Sequence, residues 1–148
     1  MTVTNTSDGG RGICMTNAKV ELFDVALKGC RHIGVFSTFG ASVVATRCEF
    51  ANTGNGNGAV VRGSLTSATF KNCVFHDNEY DGIYASDQAT VHLHGEATAI
   101  HSNKRNGITA ADSSKVLIHL PSHHNTSYKN EMQDRNSTNG GTITNVED

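Results

Sequence analysis

His92 and His94 stand two residues apart in the run Ala89-Thr90-Val91-His92-Leu93-His94, and 25 residues after His94, His119 closes the same alternation in Lys115-Val116-Leu117-Ile118-His119-Leu120. In an extended strand every second side chain faces the same way, so Val91 and Leu93 turned inward leave His92 and His94 outward. The shift of 25 sets His119 over His94, and it sets His101 over His76. Imidazoles on neighbouring strands are ligands for a divalent transition metal, with Glu96 or Asp112 as a nearby oxygen donor. Such a metal is the one cofactor these residues suggest, with His92, His94 and His119 as its candidate ligands; a solvent-facing histidine ladder without metal is the plainer alternative. The cysteines carry no such chemistry, because Cys14, Cys30, Cys48 and Cys73 lack the C-x-x-C spacing of zinc ribbons and redox centres. Cys48 and Cys73 share a column at the shift of 25 and are expected as reduced, structural thiols.

Columns of this kind need an element that stacks at a constant interval, and the chain supplies one. Gly34-Val35-Phe36, Gly58-Ala59-Val60, Gly82-Ile83-Tyr84 and Gly107-Ile108-Thr109 follow Gly12-Ile13-Cys14, with steps of 22, 24, 24 and 25 residues between their glycines. A period of this size marks a solenoid, in which each unit buries its apolar face against the next. Two-residue alternation and abundant Asn, Gly and Thr make the units strands, with very little helix. Shifting by 25 lays Phe75 on Ile100, Asn78 on Asn103, Asp81 on Asn106 and Ile83 on Ile108, and backwards it takes Phe75 to Phe50. Stacked parallel strands lie about 4.8 Å apart, so like residues meet in ladders. The inward ladders are then Val35, Ala59, Ile83 and Ile108 in one strand, and Leu27, Phe50, Phe75 and Ile100 in another. At Asn57-Gly58, Asp81-Gly82 and Asn106-Gly107, a residue tolerant of left-handed backbone beside glycine is expected to let the chain turn sharply. Asn78 and Asn103 are expected to bond to turn backbone rather than to a ligand.

Composition removes several classes of function. Fourteen acidic against twelve basic residues give a net charge of −2, which is not the broad basic footprint of a nucleic-acid binder. A charged fraction of 18% and a single proline argue against disorder. No apolar run has the length of a membrane span, and Met1-Thr2-Val3-Thr4-Asn5 lacks the regions of a secretory signal, so the sequence gives no cellular address.

Rung length, three short strands per rung and columns of like residues over about residues 10 to 120 make the chain resemble the right-handed parallel β-helix proteins of the pectate-lyase-like superfamily. That resemblance implies an all-β solenoid of about five rungs over 1–120. Residues 121–148 are expected as a polar loop and a C-terminal strand, together a cap over an open edge that otherwise invites end-to-end self-association. It implies chemistry less narrowly, since lyases, epimerases, hydrolases, tailspikes and non-catalytic domains share the fold. Lyases of this fold hold calcium on outward acids and use an Arg or Lys as base. By that resemblance the candidates are Arg62 and Lys71 as bases and Asp77 and Asp81 as acids, with Asp87 and Asp112 in one further column and His76 or Tyr84 as an alternative acid or base. The chain has no Asp-Pro-His-Asp signature of the alginate epimerases and no counterpart of the pectate-lyase calcium cluster.

The outward column of the glycine-led strand is more suggestive. Cys14, Phe36, Val60, Tyr84 and Thr109 make an apolar and aromatic strip, and such a strip asks what covers it. With Phe36 and Tyr84 two rungs apart, about 10 Å, the strip suits an extended sugar chain or a protein partner. The sequence therefore reads as a non-catalytic repeat domain binding carbohydrate or protein through Phe36, Val60, Tyr84 and Thr109. A polysaccharide lyase or epimerase is the alternative, and a structural or oligomerising spacer the second alternative.

Overall fold

A computed structural model describes residues 1–120 and 126–147, with the side chain of Leu120 excepted. Short strands alternate with tight turns, and the chain coils. The first turn holds β1 (Thr2–Val3), β2 (Ile13–Thr16) and β3 (Lys19–Phe23); the second β4 (Ala26–Lys28), β5 (Val35–Thr38) and β6 (Ser42–Thr46); the third β7 (Glu49–Ala51), β8 (Ala59–Arg62) and β9 (Ser67–Lys71). The fourth holds β10 (Val74–His76), β11 (Ile83–Ser86) and β12 (Thr90–His94), and the fifth β13 (Ala99–His101), β14 (Ile108–Ala110) and β15 (Lys115–Leu120). A sixth follows with β16 (Ser127–Tyr128), β17 (Arg135–Ser137) and β18 (Thr142–Glu147). The three strands of each turn stack on their counterparts into three six-stranded sheets, here named A, B and C in the order the chain meets them. All pairings are parallel. No α-helix occurs among the described residues.

The register fulfils the ladders read from the sequence. Leu27 pairs with Phe50, Phe50 with Phe75 and Phe75 with Ile100 in sheet A. Val35 pairs with Ala59, Ala59 with Ile83 and Ile83 with Ile108 in sheet B. All of these are buried and form one apolar core along the axis. Phe50 and Phe75 stack with centroids 4.7 Å apart, and Phe70 of sheet C meets both edge-on at 5.6 and 4.9 Å. Each such ring removed from water contributes about 1.5–3 kcal/mol. Cys48 and Cys73 are free and buried, and burial pushes the Cys73 thiol up to about 12. Reduced packing thiols are what the column suggested.

The turns number six, close to the five or so rungs expected, the last described segment adding a turn. Where a polar loop, a strand and a cap are expected, residues 126–147 carry the ladders onward: β16 pairs with β13, β17 with β14 and β18 with β15. His123, His124 and Asn125 of the polar stretch lie outside the described residues.

The turns correct one expectation. Gly34, Gly58, Gly82 and Gly107 do not have left-handed backbone, and neither do Asn57, Asp81 and Asn106. What these glycines supply is proximity: a Cβ on Gly34 would collide with the carbonyl oxygen of Gly58 in the next turn, and one on Gly82 would lie 2.8 Å from that of Gly107. The left-handed positions fall elsewhere, in columns such as Asn52, Asp77, Ser102 and Lys129 after sheet A, and Asp24, Arg47 and Asn72 after sheet C. The Asn-led positions serve instead as acceptors.

Asn57 Oδ1 accepts the Asp81 N–H at 2.8 Å, Asp81 Oδ1 the Asn106 N–H at 2.9 Å, and Asn106 Oδ1 the Gln133 N–H at 3.2 Å. A second ladder runs through buried amides. Asn103 Oδ1 accepts from the Asn78 N–H at 3.1 Å, while the Asn103 Nδ2 donates to the Phe75 carbonyl and to Asn130 Oδ1. Each turn thus supplies partners to the polar groups of its neighbour, which a buried bend requires.

Candidate functional site

The outward side of sheet B carries the aromatic column in the expected order. Cys14 pairs with Phe36, Phe36 with Val60, Val60 with Tyr84 and Tyr84 with Thr109. The surface is a groove, however, and not a flat strip. Phe36 and Tyr84 are half-buried, while Val60 and Thr109 between and beyond them are buried at 2% and 4% exposure despite facing outward. Phe36 and Tyr84 are the half-exposed rings a ligand could touch, two turns apart along the stack, and Val60 lies between them as floor.

Three arginines flank that groove. The guanidinium carbon of Arg11 lies 4.5 Å from the centroid of Phe36, and that of Arg62 lies 5.7 Å from it. Arg105, which like Arg11 precedes its sheet B strand, sits 3.8 Å over the ring of Tyr80. Planar cations on aromatic faces are held in place without losing the capacity to donate hydrogen bonds. One hollow of about 240 Å³ is lined by Phe36, Val60, Arg62, Tyr80, Tyr84 and Arg105. A second, of about 530 Å³, shares Asp81, Tyr84 and Arg105 with it and carries the groove on to Thr109 and Asn136.

Arg11, Tyr80 and Arg105 were not singled out by the sequence reading. The signal for two of them was there: the shift of 25 that lays Asp81 on Asn106 also lays Tyr80 on Arg105, and the Arg105 N–H donates to the Tyr80 carbonyl at 3.3 Å.

The catalytic candidates are divided. Arg62 and Asp81 line the same hollow. Arg62 is partly engaged, with its Nε 3.7 Å from Asp87 Oδ2 and 3.4 Å from Ser86 Oγ. Asp81 is buried, and burial raises its carboxyl above the ordinary value; the Asn106 N–H, the Thr109 hydroxyl and the charge of Arg105 pull the other way. Lys71 lies in sheet C, paired with His94 in register, away from that groove. Asp77 sits in the turn after β10, where its carboxylate lies 2.5 Å from His76 Nδ1. Asp112 accepts from the Asn139 amide.

Two histidine columns differ in kind. In sheet A, His76 and His101 stack at 5.3 Å and Tyr128 continues the stack at 5.2 Å. Both nitrogens of His76 face carboxylates, Asp77 at 2.5 Å and Glu49 at 2.8 Å, so the ring is held as a cation. Burial draws its pKa down, but those hydrogen bonds and charges prevail and hold it above the ordinary 6.5.

In sheet C, His94 and His119 stack at 4.0 Å, and His92 Nδ1 lies 2.8 Å from His119 Nε2. Burial, and then the charge of His119, hold His92 below its ordinary value. These three rings bring their ligand nitrogens within 4.8 Å of one another and are the residues that could hold a metal ion among those described.

No curated protein and no solved structure matches the chain. A family model described as "Right handed beta helix region" matches residues 2–126. With three parallel sheets, a period near 25 residues and a match that spans most of its length, the chain belongs to the right-handed β-helix family.

Proposed function

We propose that this β-helix is a carbohydrate-binding domain whose sheet B groove takes an extended acidic sugar chain. The observation that supports this reading is the pairing of the half-exposed faces of Phe36 and Tyr84 with Arg11, Arg62 and Arg105 along one groove. Aromatic faces accept the apolar face of a pyranose, and guanidinium groups bind carboxylates through paired hydrogen bonds. The groove follows the stacking direction, so successive sugars meet equivalent positions on successive turns. Its one buried acid, Asp81, accepts the Asn106 N–H in the turn ladder. Affinity electrophoresis in gels with polygalacturonate and with neutral dextran tests this. Retardation is expected in the acidic polymer alone and should disappear in Arg105→Ala and Tyr84→Ala. Equal mobility of the parent in all gels would sink the reading.

A lyase is the second reading, favoured by the single fact that Arg62 and Asp81 share a hollow with Tyr84. It requires a base that removes the proton beside a uronate carboxylate and releases an unsaturated product that absorbs in the ultraviolet. Rising absorbance on polygalacturonate that is abolished by Arg62→Ala would replace the binding reading with this one.

A further inference from the structure

The outer face of sheet C carries chemistry that the sugar groove does not use. His92 and His94 project from one strand on the same side, and His119 joins them from the strand stacked on it, one turn further along. We propose that these three imidazoles form a binding site for a divalent transition-metal ion of the zinc, copper or nickel type.

The geometry carries the assignment. One donor nitrogen from each ring lies within 4.8 Å of the others, and His92 Nδ1 lies 2.8 Å from His119 Nε2. Two ligands at the 2.0–2.1 Å typical of zinc-bound nitrogen, set tetrahedrally, stand about 3.3 Å apart. Binding requires the side chains to rotate, opening the His92–His119 pair and turning the stacked rings of His94 and His119 so that a nitrogen of each faces the ion. Imidazole donors select this class of ion, because calcium and magnesium need oxygen ligands.

The rings are half-buried. With three ligands from the chain, water would fill the fourth position of a tetrahedral ion. Ligands from β12 and β15 make the metal a clasp between consecutive turns, so binding is coupled to the stacked state.

The sheet A histidines provide the internal contrast. His76 and His101 stack in the same way, yet both nitrogens of His76 are committed to Glu49 and Asp77, so that pair offers no comparable set.

The experiment uses the full chain without an affinity tag. Zinc chloride is titrated by calorimetry, and cobalt chloride by visible absorption, where an intense band reports tetrahedral coordination by the protein. The parent is expected to bind one ion with a rise in melting temperature. His94→Ala and His119→Ala should each weaken zinc by more than about tenfold, since even an outer partner of a metal ligand is worth 10–100-fold. The paired variant His76→Gln/His101→Gln should bind as the parent does, and so should His123→Ala/His124→Ala. No heat and no cobalt band in the folded parent would overturn the assignment. So would zinc binding that survives the triple replacement of His92, His94 and His119, or that is lost with His123 and His124 alone. Circular dichroism of each variant separates loss of the site from loss of the fold, and the parent's cobalt spectrum decides the matter even if a variant misfolds.

Discussion

Sheets B and C are built by the same rule and end in opposite surfaces. Both are six parallel strands with inward ladders of Val, Ile and Ala and outward columns of like register. On sheet B the outward column is largely aromatic and apolar, with Arg11 stacked on its Phe36 and Arg105 on the adjoining Tyr80. On sheet C the outward positions are mixed, with Ser, Thr, Lys and His beside Val44 and Leu117. Inward residues are constrained by packing, so the solenoid can hardly vary them; outward residues are free to carry function, and each face can take a different one. One stack of coils thus offers two independent ladders of side chains at the same pitch.

The comparison assumes that one interior supports both faces. Ile83→Asp puts an unpaired charge between Ala59 and Ile108 in a fully buried column, and at least about 4 kcal/mol of stability should go with it. Thermal melting followed by circular dichroism is expected to show no cooperative transition. A melt near that of the parent would mean that inward and outward are wrongly assigned on both faces.

The polar ladders come next. Asn103→Ala removes a buried amide that joins the Asn78 N–H, the Phe75 carbonyl and Asn130, at a cost of about 2–3 kcal/mol for the groups left unpaired. Asp81→Asn keeps an acceptor oxygen for the Asn106 N–H and should leave stability within about 0.5 kcal/mol of the parent. Chemical denaturation of the two variants side by side checks both values. If Asp81→Asn is instead stable but abolishes a measurable turnover, Asp81 is catalytic and the sheet B groove is an active site.

The ladders were legible because stacking repeats the same residue at the same offset. Phe50, Phe75 and Ile100, or Asn78 and Asn103, announce themselves by a shift of 25. His94 over His119 was readable for the same reason. The groove was legible in the outward column of Phe36, Val60 and Tyr84 but not in its rim. Arg11 and Arg62 reach Phe36 through long side chains from neighbouring turns, and no offset in the sequence encodes such a reach. The role of the turn glycines was misread for a related reason. A Gly after Asn or Asp suggests a left-handed turn locally, whereas the constraint at Gly34 and Gly82 comes from the carbonyl of the following coil.

Tyr84→Ala sharpens the contrast between the faces. Its ring is half-exposed, so melting should barely move, while affinity for an acidic polysaccharide should fall about tenfold, equivalent to 1.4 kcal/mol. His94→Ala on sheet C should leave that affinity untouched. Loss of sugar binding in both variants would show that the faces are coupled.

The smallest expected effect lies in the pH dependence of sheet A, and its sign follows from the charges around His76. Glu49 and Asp77 face that ring, Lys28 reaches Glu49 at 3.5 Å, and His101 stacks above. The His76 pKa is raised above 6.5, so its stabilisation is complete below 6.5 and fades as pH climbs through the raised value. Glu49 is held below its ordinary 4.5, first by the hydrogen bond from His76, so its contribution is present above 4.5 and fades as pH falls through the lowered value. The contact between them is therefore worth most from about pH 4.5 to 6.5. His101 opposes this, because burial and then the charge of His76 hold its pKa below 6.5, so it favours the folded state more as pH rises toward 6.5. Measured in a His101→Gln background, the stability lost on His76→Gln should be largest in that window and shrink above it. A difference that grows with pH would mean that His76 is neutral in the fold and that its two carboxylates do not hold it as a cation.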